Sequence, residues 1–312
     1  MTLITALLNQ MEFLVLLIVI GYMLVRFRLI SDTAPTILSK LETVLFIPAL
    51  VMGTFISNFT VEKLSISKTL IVGSLIFEAV VILISHLIVY PTIKDRHLRN
   101  ISLYGLCFAN FGYVGNAVVS AVFPDMFLEY LIFTTPLQIG IYVWASPSLL
   151  IGGETKISLK KRFYNFVNPM FIGMVIGMVI GLCQAPVPKF LDSLVTSLGN
   201  CMSPVAMLLT GMTIAKSKLG EILKSKTIYY MTFLRLIVYP LIFVGVVYFF
   251  DIPKTVELCI LCAVAMPLGL NSIIIPGAYG KDTKDASGMA LVSHVLSCIT
   301  IPLIFMAYNY LG

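Results

Sequence analysis

Runs of about 20 apolar residues recur along the whole chain, and they limit its fold more than any other feature. A run of this length can cross the hydrocarbon core of a bilayer as a helix. Inside lipid, only helices and closed barrels satisfy all of their backbone hydrogen bonds. Charged residues make up only 12% of the chain, whereas a soluble domain carries about 25%. The sequence therefore predicts an all-α membrane protein with no soluble domain.

We predict ten membrane-spanning helices. Their approximate limits are 7–27, 36–57, 68–90, 101–123, 127–150, 167–184, 190–215, 227–250, 255–279 and 285–310. Of the 21 Lys and Arg residues, 16 lie in the loops after the odd-numbered spans or at their edges, and Arg235 lies within span 8. Since loops rich in these residues stay in the cytoplasm, we expect both termini outside the plasma membrane. No Lys or Arg precedes the first apolar run, so no cleavable signal peptide is expected.

Two stretches of the chain share a pattern. Residues 106–116 read LCFANFGYVGN, and residues 261–271 read LCAVAMPLGLN. Each interrupts an apolar run with Gly or Pro, and matched interruptions in two halves of a chain are typical of a transporter's binding site. Ten spans divide into five plus five, and an odd number per half inverts the second half. We predict inverted repeats at 1–151 and 167–312, a cytoplasmic linker at 152–166, and broken helices 4 and 9 facing each other.

The candidate substrate-binding residues lie at these interruptions or inside neighbouring spans. They are Asn110, Gly112, Gly115, Asn116, Gln138, Arg235, Pro267 and Asn271. The N-terminal end of a half-helix offers free N–H groups and a partial positive charge. Such an end suits an anion, typically a carboxylate. Helix kinks that are merely capped by Asn are the alternative interpretation.

Ionisable residues inside a membrane span are functional hypotheses by default. Glu78 and Arg235 occupy similar depths in spans 3 and 8. Arg235 can bind a carboxylate in bidentate geometry or stabilise the crossing of the broken helices, and Glu78 can carry a proton. An ion pair that only neutralises both is equally open. His294 in span 10 is a second candidate for proton or ion coupling, or a hydrogen-bonded packing residue. Glu12 and Glu42 lie near span ends, where we expect contact with water.

Several motifs for other functions are absent from the sequence. It contains no phosphate-binding loop, zinc-protease motif or hydrolase elbow, so we expect neither an enzyme nor an ATP-driven pump. No cofactor is expected beyond a coupling H⁺ or Na⁺. The six cysteines lie in or beside apolar segments, and we interpret them as packing residues, including the Cys259–Cys262 pair. The net charge of +6 is explained by the cytoplasmic loops, so no nucleic-acid partner is expected.

A further set of motifs is found mainly in the second half of the chain. They are Asn168-Pro169, the 204–212 run, Arg235 with Pro240, the 265–272 run, Ile301-Pro302-Leu303, and N-x-G-x-x-G at 110–115. Together they resemble the auxin efflux carrier family, whose bacterial members include malate permeases. Many members have Pro after the second Gly of the last pattern, where this chain has Asn116.

The resemblance implies an inverted five-plus-five fold, similar in plan to the bile-acid sodium symporters. Spans 4 and 9 would cross, and spans 1, 2, 6 and 7 would form a scaffold. The short central loop fits a bacterial protein. We expect a secondary transporter that moves malate or another small organic anion by alternating access. A sodium-coupled carrier of another anion and a non-transporting membrane sensor are the alternatives. Besides a small carboxylate and the lipid bilayer, a homodimer partner is left open.

Overall fold

The computed structural model describes residues 3–31, 33–151, 167–216, 224–278 and 281–311, so the predicted linker at 152–166 lies outside the described residues. Within these ranges every regular element is a helix. The helices are α1 (Leu3–Arg26), α2 (Ala34–Asn58), α3 (Lys63–Thr92), α4 (Arg96–Cys107), α5 (Phe111–Val122), α6 (Pro124–Ile151), α7 (Pro169–Cys183), α8 (Lys189–Ala215), α9 (Lys226–Phe249), α10 (Lys254–Val264), α11 (Asn271–Ala278) and α12 (Lys284–Leu311).

Seven helices in the described ranges are long and apolar enough to cross a membrane: α1, α2, α3, α6, α8, α9 and α12. Helices α5 and α7 are apolar but shorter. Helices α4, α10 and α11 have 12, 11 and 8 residues, fewer than the roughly 20 that a complete span needs. The chain is therefore a multi-pass helical membrane protein in which some apolar segments are divided into shorter helices.

Four of the helices contain π-helical turns, which are wider than α-helical turns and are frequent at functional sites. They cover Glu42–Phe46 in α2, Phe111–Gly115 in α5, Ile141–Ile151 in α6 and Leu234–Val238 in α9. The sequence pattern does not predict these turns. They change which side chains face inward, and two of them contain the ionisable residues Glu42 and Arg235.

Glycines allow the outer helices to pack with their backbones almost in contact. In α7, Gly173, Gly177 and Gly181 recur every four residues and face the backbone of α2. A Cβ atom at Gly177 would lie only 2.6 Å from the carbonyl oxygen of Met52. Gly211 of α8 faces the backbone of α1 in the same way. Small residues at such spacing are typical of helix pairs in membranes, where close packing takes the place of the hydrophobic effect.

The most enclosed part of the molecule is formed by the short helices. Every residue from 101 to 119 except Gly112 is buried, and so is every residue from 259 to 270. By contrast, α1, α3 and α9 carry large exposed apolar side chains such as Leu16, Leu87 and Tyr248. Helices α1, α3 and α9 therefore present an apolar surface suited to lipid, whereas the two interrupted segments lie in the interior.

Candidate binding site at the helix interruptions

Both apolar segments that the sequence predicts to be broken are interrupted in the structure. Helix α4 ends at Cys107 and α5 begins at Phe111, while α10 ends at Val264 and α11 begins at Asn271. The two loops lie against each other. An isolated antiparallel bridge joins Ala109 to Leu268, and the Asn110 N–H donates to the Pro267 carbonyl at 2.7 Å. Backbone groups released by the helices thus find partners in each other, as an environment without water requires.

The first interruption lies a few residues earlier than the sequence pattern predicts. The pattern places the break at Gly112 and Gly115, but both glycines belong to the π-helical turn that opens α5. A Cβ atom at Gly115 would collide with the hydroxyl of Tyr130, which donates to the Phe111 carbonyl at 3.0 Å. Gly115 is thus explained by close packing. A Cβ atom at Gly112 would meet nothing within 4 Å, because Gly112 lines a cavity.

Asn110 caps the start of α5, and its amide is held at both ends. Its Oδ1 accepts from the Tyr113 N–H at 3.3 Å, and its Nδ2 donates to Nε2 of His294 at 2.9 Å. His294 in turn donates from Nδ1 to the Ala290 carbonyl at 2.7 Å. The imidazole proton therefore lies on Nδ1, which leaves Nε2 as the acceptor. His294 fixes the orientation of the Asn110 amide.

The neighbouring residue of α12 supports the other interruption. The Ser293 hydroxyl accepts from the Leu268 N–H at 3.1 Å and donates to the Ala290 carbonyl at 3.1 Å. Two adjacent residues of α12 therefore each form a hydrogen bond to one interruption: His294 to Asn110, and Ser293 to Leu268. Within the second loop, the Ser272 hydroxyl donates to the Gly269 carbonyl at 2.7 Å.

The C-terminal ends of α4 and α10 converge on Arg235, whose side chain is fully enclosed. The guanidinium donates to the Leu106 carbonyl in the last turn of α4 at 3.1 Å. It also donates to the Ala263 carbonyl at 3.1 Å and the Met266 carbonyl at 3.2 Å, at the end of α10. Helix C-termini carry partial negative charge. Arg235 therefore acts as a shared counter-charge for the two helix ends.

Glu78 and Arg235 form no ion pair with each other in the described part of the chain. Glu78 is half-buried on α3, and its carboxylate lies against the backbone of Gly140 in α6. The structure therefore separates the two ionisable residues that the sequence places at similar depth.

The N-terminal ends of α5 and α11 open on a cavity of about 130 Å³. Five of the eight predicted substrate-binding residues line it: Asn110, Gly112, Asn116, Gln138 and Asn271. Gly115, Arg235 and Pro267 do not line it, nor do the predicted coupling residues Glu78 and His294. The structure thus brings together the amide side chains of the prediction and leaves the ionisable residues outside.

The cavity is suited to a negatively charged group. The Nδ2 group of buried Asn116 has no hydrogen-bond partner within the described ranges and is an unused donor. A third helix begins at the cavity edge, where Asn168 caps α7 by accepting from the Phe171 N–H at 3.0 Å. No acidic side chain lines the cavity among the residues described. Helix N-termini and free amide donors favour an anion.

Glu42 is the main ionisable residue near the site that sequence analysis missed. The sequence predicts that Glu42 contacts water. That prediction is wrong, because Glu42 is 0% exposed. It directly precedes Thr43, which lines the cavity, and neither carboxylate oxygen has a hydrogen-bond partner in the described chain. A Glu near a span end is ordinarily exposed, so the sequence carries no signal for its burial.

The profile of a family described as "Membrane transport protein" matches residues 6–152 and 155–305. Nearly the whole chain is covered, so the chain belongs to this family of membrane transport proteins. The resemblance to the auxin efflux carriers is thereby confirmed, and so is the expectation of a transporter rather than an enzyme.

The curated relatives include YfdV of Escherichia coli (strain K12), which is described as an uncharacterized transporter. It is 24% identical over 202 residues, which cover 62% of this chain and 62% of the relative. YfdV of Escherichia coli O157:H7 and of Shigella flexneri match with the same identity and coverage. This chain therefore spans less than two thirds of the length of these relatives.

Proposed function

We propose that this chain is a secondary active transporter that moves a small organic anion, such as malate or another carboxylate, across the cell membrane by alternating access. One observation carries the proposal: the N-terminal ends of α5 and α11 meet at one cavity lined by Asn116, whose buried Nδ2 group has no hydrogen-bond partner in the described ranges. A carboxylate accepts hydrogen bonds from such groups and is favoured by the positive end of each helix.

The charge distribution around the crossing supports an anion. Arg235 compensates the C-terminal ends of α4 and α10 through three carbonyl groups. The N-terminal ends of α5 and α11 face no acidic side chain at the cavity wall, within the described residues. Their partial positive charge is therefore available to a ligand.

The size of the cavity favours a ligand of a few carbon atoms. Its volume of about 130 Å³ is well below the roughly 300–1,000 Å³ of pockets for drug-sized ligands. Amide groups from Asn110, Gln138 and Asn271 line the same space. A short hydroxy- or dicarboxylate has enough acceptor oxygens to use them.

We also propose that the chain crosses the membrane ten times as two inverted repeats. Helices α4 and α5 together form one crossing, and α10 and α11 another. The glycine contacts support this arrangement: α8 packs on α1, and α7 packs on α2. In this arrangement, α1 and α2 of the first half correspond to α7 and α8 of the second half. The contact between α1 and α8 therefore corresponds to the contact between α7 and α2. Helices α1, α2, α7 and α8 then form the scaffold.

The membrane orientation in this proposal follows from the Lys and Arg distribution. The chain lies in the plasma membrane of a bacterial cell with both termini outside. The loop between α6 and α7 is cytoplasmic. The cavity lies beside the start of α7, so it faces the cytoplasm in this orientation. Alternating access then requires a second arrangement of the helices that exposes the same groups outside.

Uptake of labelled malate into proteoliposomes tests the proposal. We expect Asn116→Ala to lower uptake by about tenfold, the loss of roughly 1.4 kcal/mol of binding through one hydrogen-bonding group. Asn110→Ala should lower uptake at least as much, because it also removes the cap of α5 and the bond to His294. Asn58→Ala is the matched control, because Asn58 is exposed and bonds only within its own helix in the described structure.

Three results would redirect the proposal. Absence of uptake for malate and other small carboxylates at every pH, with and without sodium, would contradict transport of this substrate class. Binding of malate without flux would indicate a membrane sensor. Uptake that requires sodium would identify sodium as the coupling ion.

A further inference from the structure

Glu42 is a buried carboxyl group without a partner in the described ranges. It is 0% exposed, and neither Oε1 nor Oε2 accepts a hydrogen bond there. The other two buried glutamates are paired: Glu129 with Lys63, and Glu257 with Lys254. An unpaired carboxylate charge is costly in an apolar environment, and a bound proton removes that charge.

The helices packed around Glu42 bring no charged side chain to it in the described ranges. From α5, Tyr113 is the titratable residue within electrostatic reach. The titratable residues of α7, of α8 and of the rest of α2 are all exposed: Lys40, Cys183, Lys189, Asp192 and Cys201. A cation that would hold the carboxylate in its charged form is therefore missing from these neighbours.

The position of Glu42 links it to the candidate binding site. Glu42 opens the π-helical turn of α2, and the next two residues, Thr43 and Val44, line the cavity. Tyr113 also lines the cavity while lying near Glu42. A rearrangement of the helices around the cavity will therefore change how well water reaches the Glu42 carboxyl group.

We propose that Glu42 is the proton-coupling site of this transporter. While it is enclosed, its carboxyl group holds a proton; when the surrounding helices part and water reaches it, the proton is released. The carboxylate takes up one proton from water on one side of the membrane and returns that proton to water on the other. The inference rests on the proposed transport function and assigns its coupling ion.

The two coupling residues predicted from the sequence, Glu78 and His294, are placed less favourably for proton coupling than Glu42. Glu78 is only half-buried, lies against the backbone of Gly140 and does not line the cavity. His294 uses Nε2 and Nδ1 in hydrogen bonds to Asn110 and to the Ala290 carbonyl. Gain or loss of a proton at His294 would break one of these bonds.

Infrared spectroscopy of the full chain in lipid tests the protonation of Glu42 directly. A protonated carboxyl group has a C=O stretching band that is separate from the carboxylate and amide bands. We expect this band at neutral pH in the wild type and its loss in Glu42→Gln, which has the shape of the protonated acid. Glu42→Asp keeps a carboxyl group and should shift the band. Glu12→Gln, which alters an exposed glutamate of α1, should leave it unchanged.

Transport driven by a pH gradient tests the coupling. We expect wild-type proteoliposomes to accumulate labelled malate at least tenfold in response to the gradient. Glu42→Gln should abolish this accumulation, while Glu12→Gln retains it.

Two results would overturn the inference: an infrared band unchanged in Glu42→Gln, or gradient-driven accumulation that this variant retains. Failure of the proposed function has a different signature. If the wild type does not exchange malate at all, that function is wrong, whereas the infrared band still decides whether Glu42 holds a proton.

Discussion

The two sides of the paired helix interruptions each consist of two helix ends, but they differ in electrostatic compensation. On one side, the C-terminal ends of α4 and α10 are bound by the guanidinium of Arg235. On the other side, the N-terminal ends of α5 and α11 face a cavity, and the amide of Asn116 is unused among the described residues. The contrast shows that an ionisable residue within a membrane can compensate helix ends. In the proposed transporter, the ligand would bind on the side where this compensation is missing.

Removing the counter-charge should have the largest effect. Arg235→Met leaves three buried carbonyl groups without their donor, and we expect a loss of at least about 3 kcal/mol in the free energy of unfolding. Arg235→Lys should lose less, because it keeps the charge but not the fork of donors. Denaturant unfolding in detergent micelles measures both variants.

The exposed Arg96 of α4 provides the control for this experiment. Arg96→Met should change the free energy of unfolding by less than about 0.5 kcal/mol. If Arg235→Met instead unfolds like the wild type and loses only malate uptake, Arg235 is a binding residue. The assignment of Arg235 to the ends of α4 and α10, and of the ligand to α5 and α11, would then be wrong.

Two glycines of one π-helical turn should respond differently to the same substitution. Gly115→Ala forces a Cβ atom against the Tyr130 hydroxyl, and we expect a cost of about 1–3 kcal/mol in stability. Gly112→Ala places its Cβ atom in the open space of the cavity. Gly112→Ala should keep the free energy of unfolding within about 1 kcal/mol of the wild-type value. It should lower malate uptake, because the added methyl group narrows the cavity. Thermal unfolding and uptake assays separate the two effects.

A second substitution checks the cause of the Gly115 effect. Tyr130→Phe removes the hydroxyl that the new Cβ atom would meet, so the double variant should recover part of the lost stability. No recovery would mean that the contact with Tyr130 is not the source of the cost.

The smallest effect is expected at the support of Asn110. His294→Gln keeps an acceptor for the Asn110 amide, so we expect a loss of only about 1 kcal/mol in stability. The pH dependence of malate uptake should match that of the wild type, because His294 is assigned to positioning rather than to coupling. An uptake profile that loses its pH dependence in this variant would return His294 to the coupling role.

Local signals in the sequence predict the class of fold and much of the candidate site. The long apolar runs predict a helical membrane protein, which the structure and the family confirm. Asn, Gly and Pro within apolar runs locate the interruptions to within a few residues, because these residue types weaken helices wherever they occur. Four cavity-lining residues follow from this signal: Asn110, Gly112, Asn116 and Asn271. Gln138 follows from its polar side chain within span 5.

The features that the sequence does not predict depend on contacts between distant parts of the chain. Arg235 is separated by 129 residues from Leu106 and by 31 from Met266, and no local pattern shows which helix ends converge on it. The contact between His294 and Asn110 spans 184 residues. The burial of Glu42 depends on a π-helical turn and on helices from both halves, so its position in the sequence alone predicts the wrong environment.

The backbone bonds between the two interruptions have a mechanical consequence. The Asn110–Pro267 hydrogen bond and the Ala109–Leu268 bridge join the two loops. In the proposed transporter, these bonds would hold the starts of α5 and α11 at a fixed spacing while the helices rearrange. A solute would then meet the same arrangement of amide groups when it binds and when it is released.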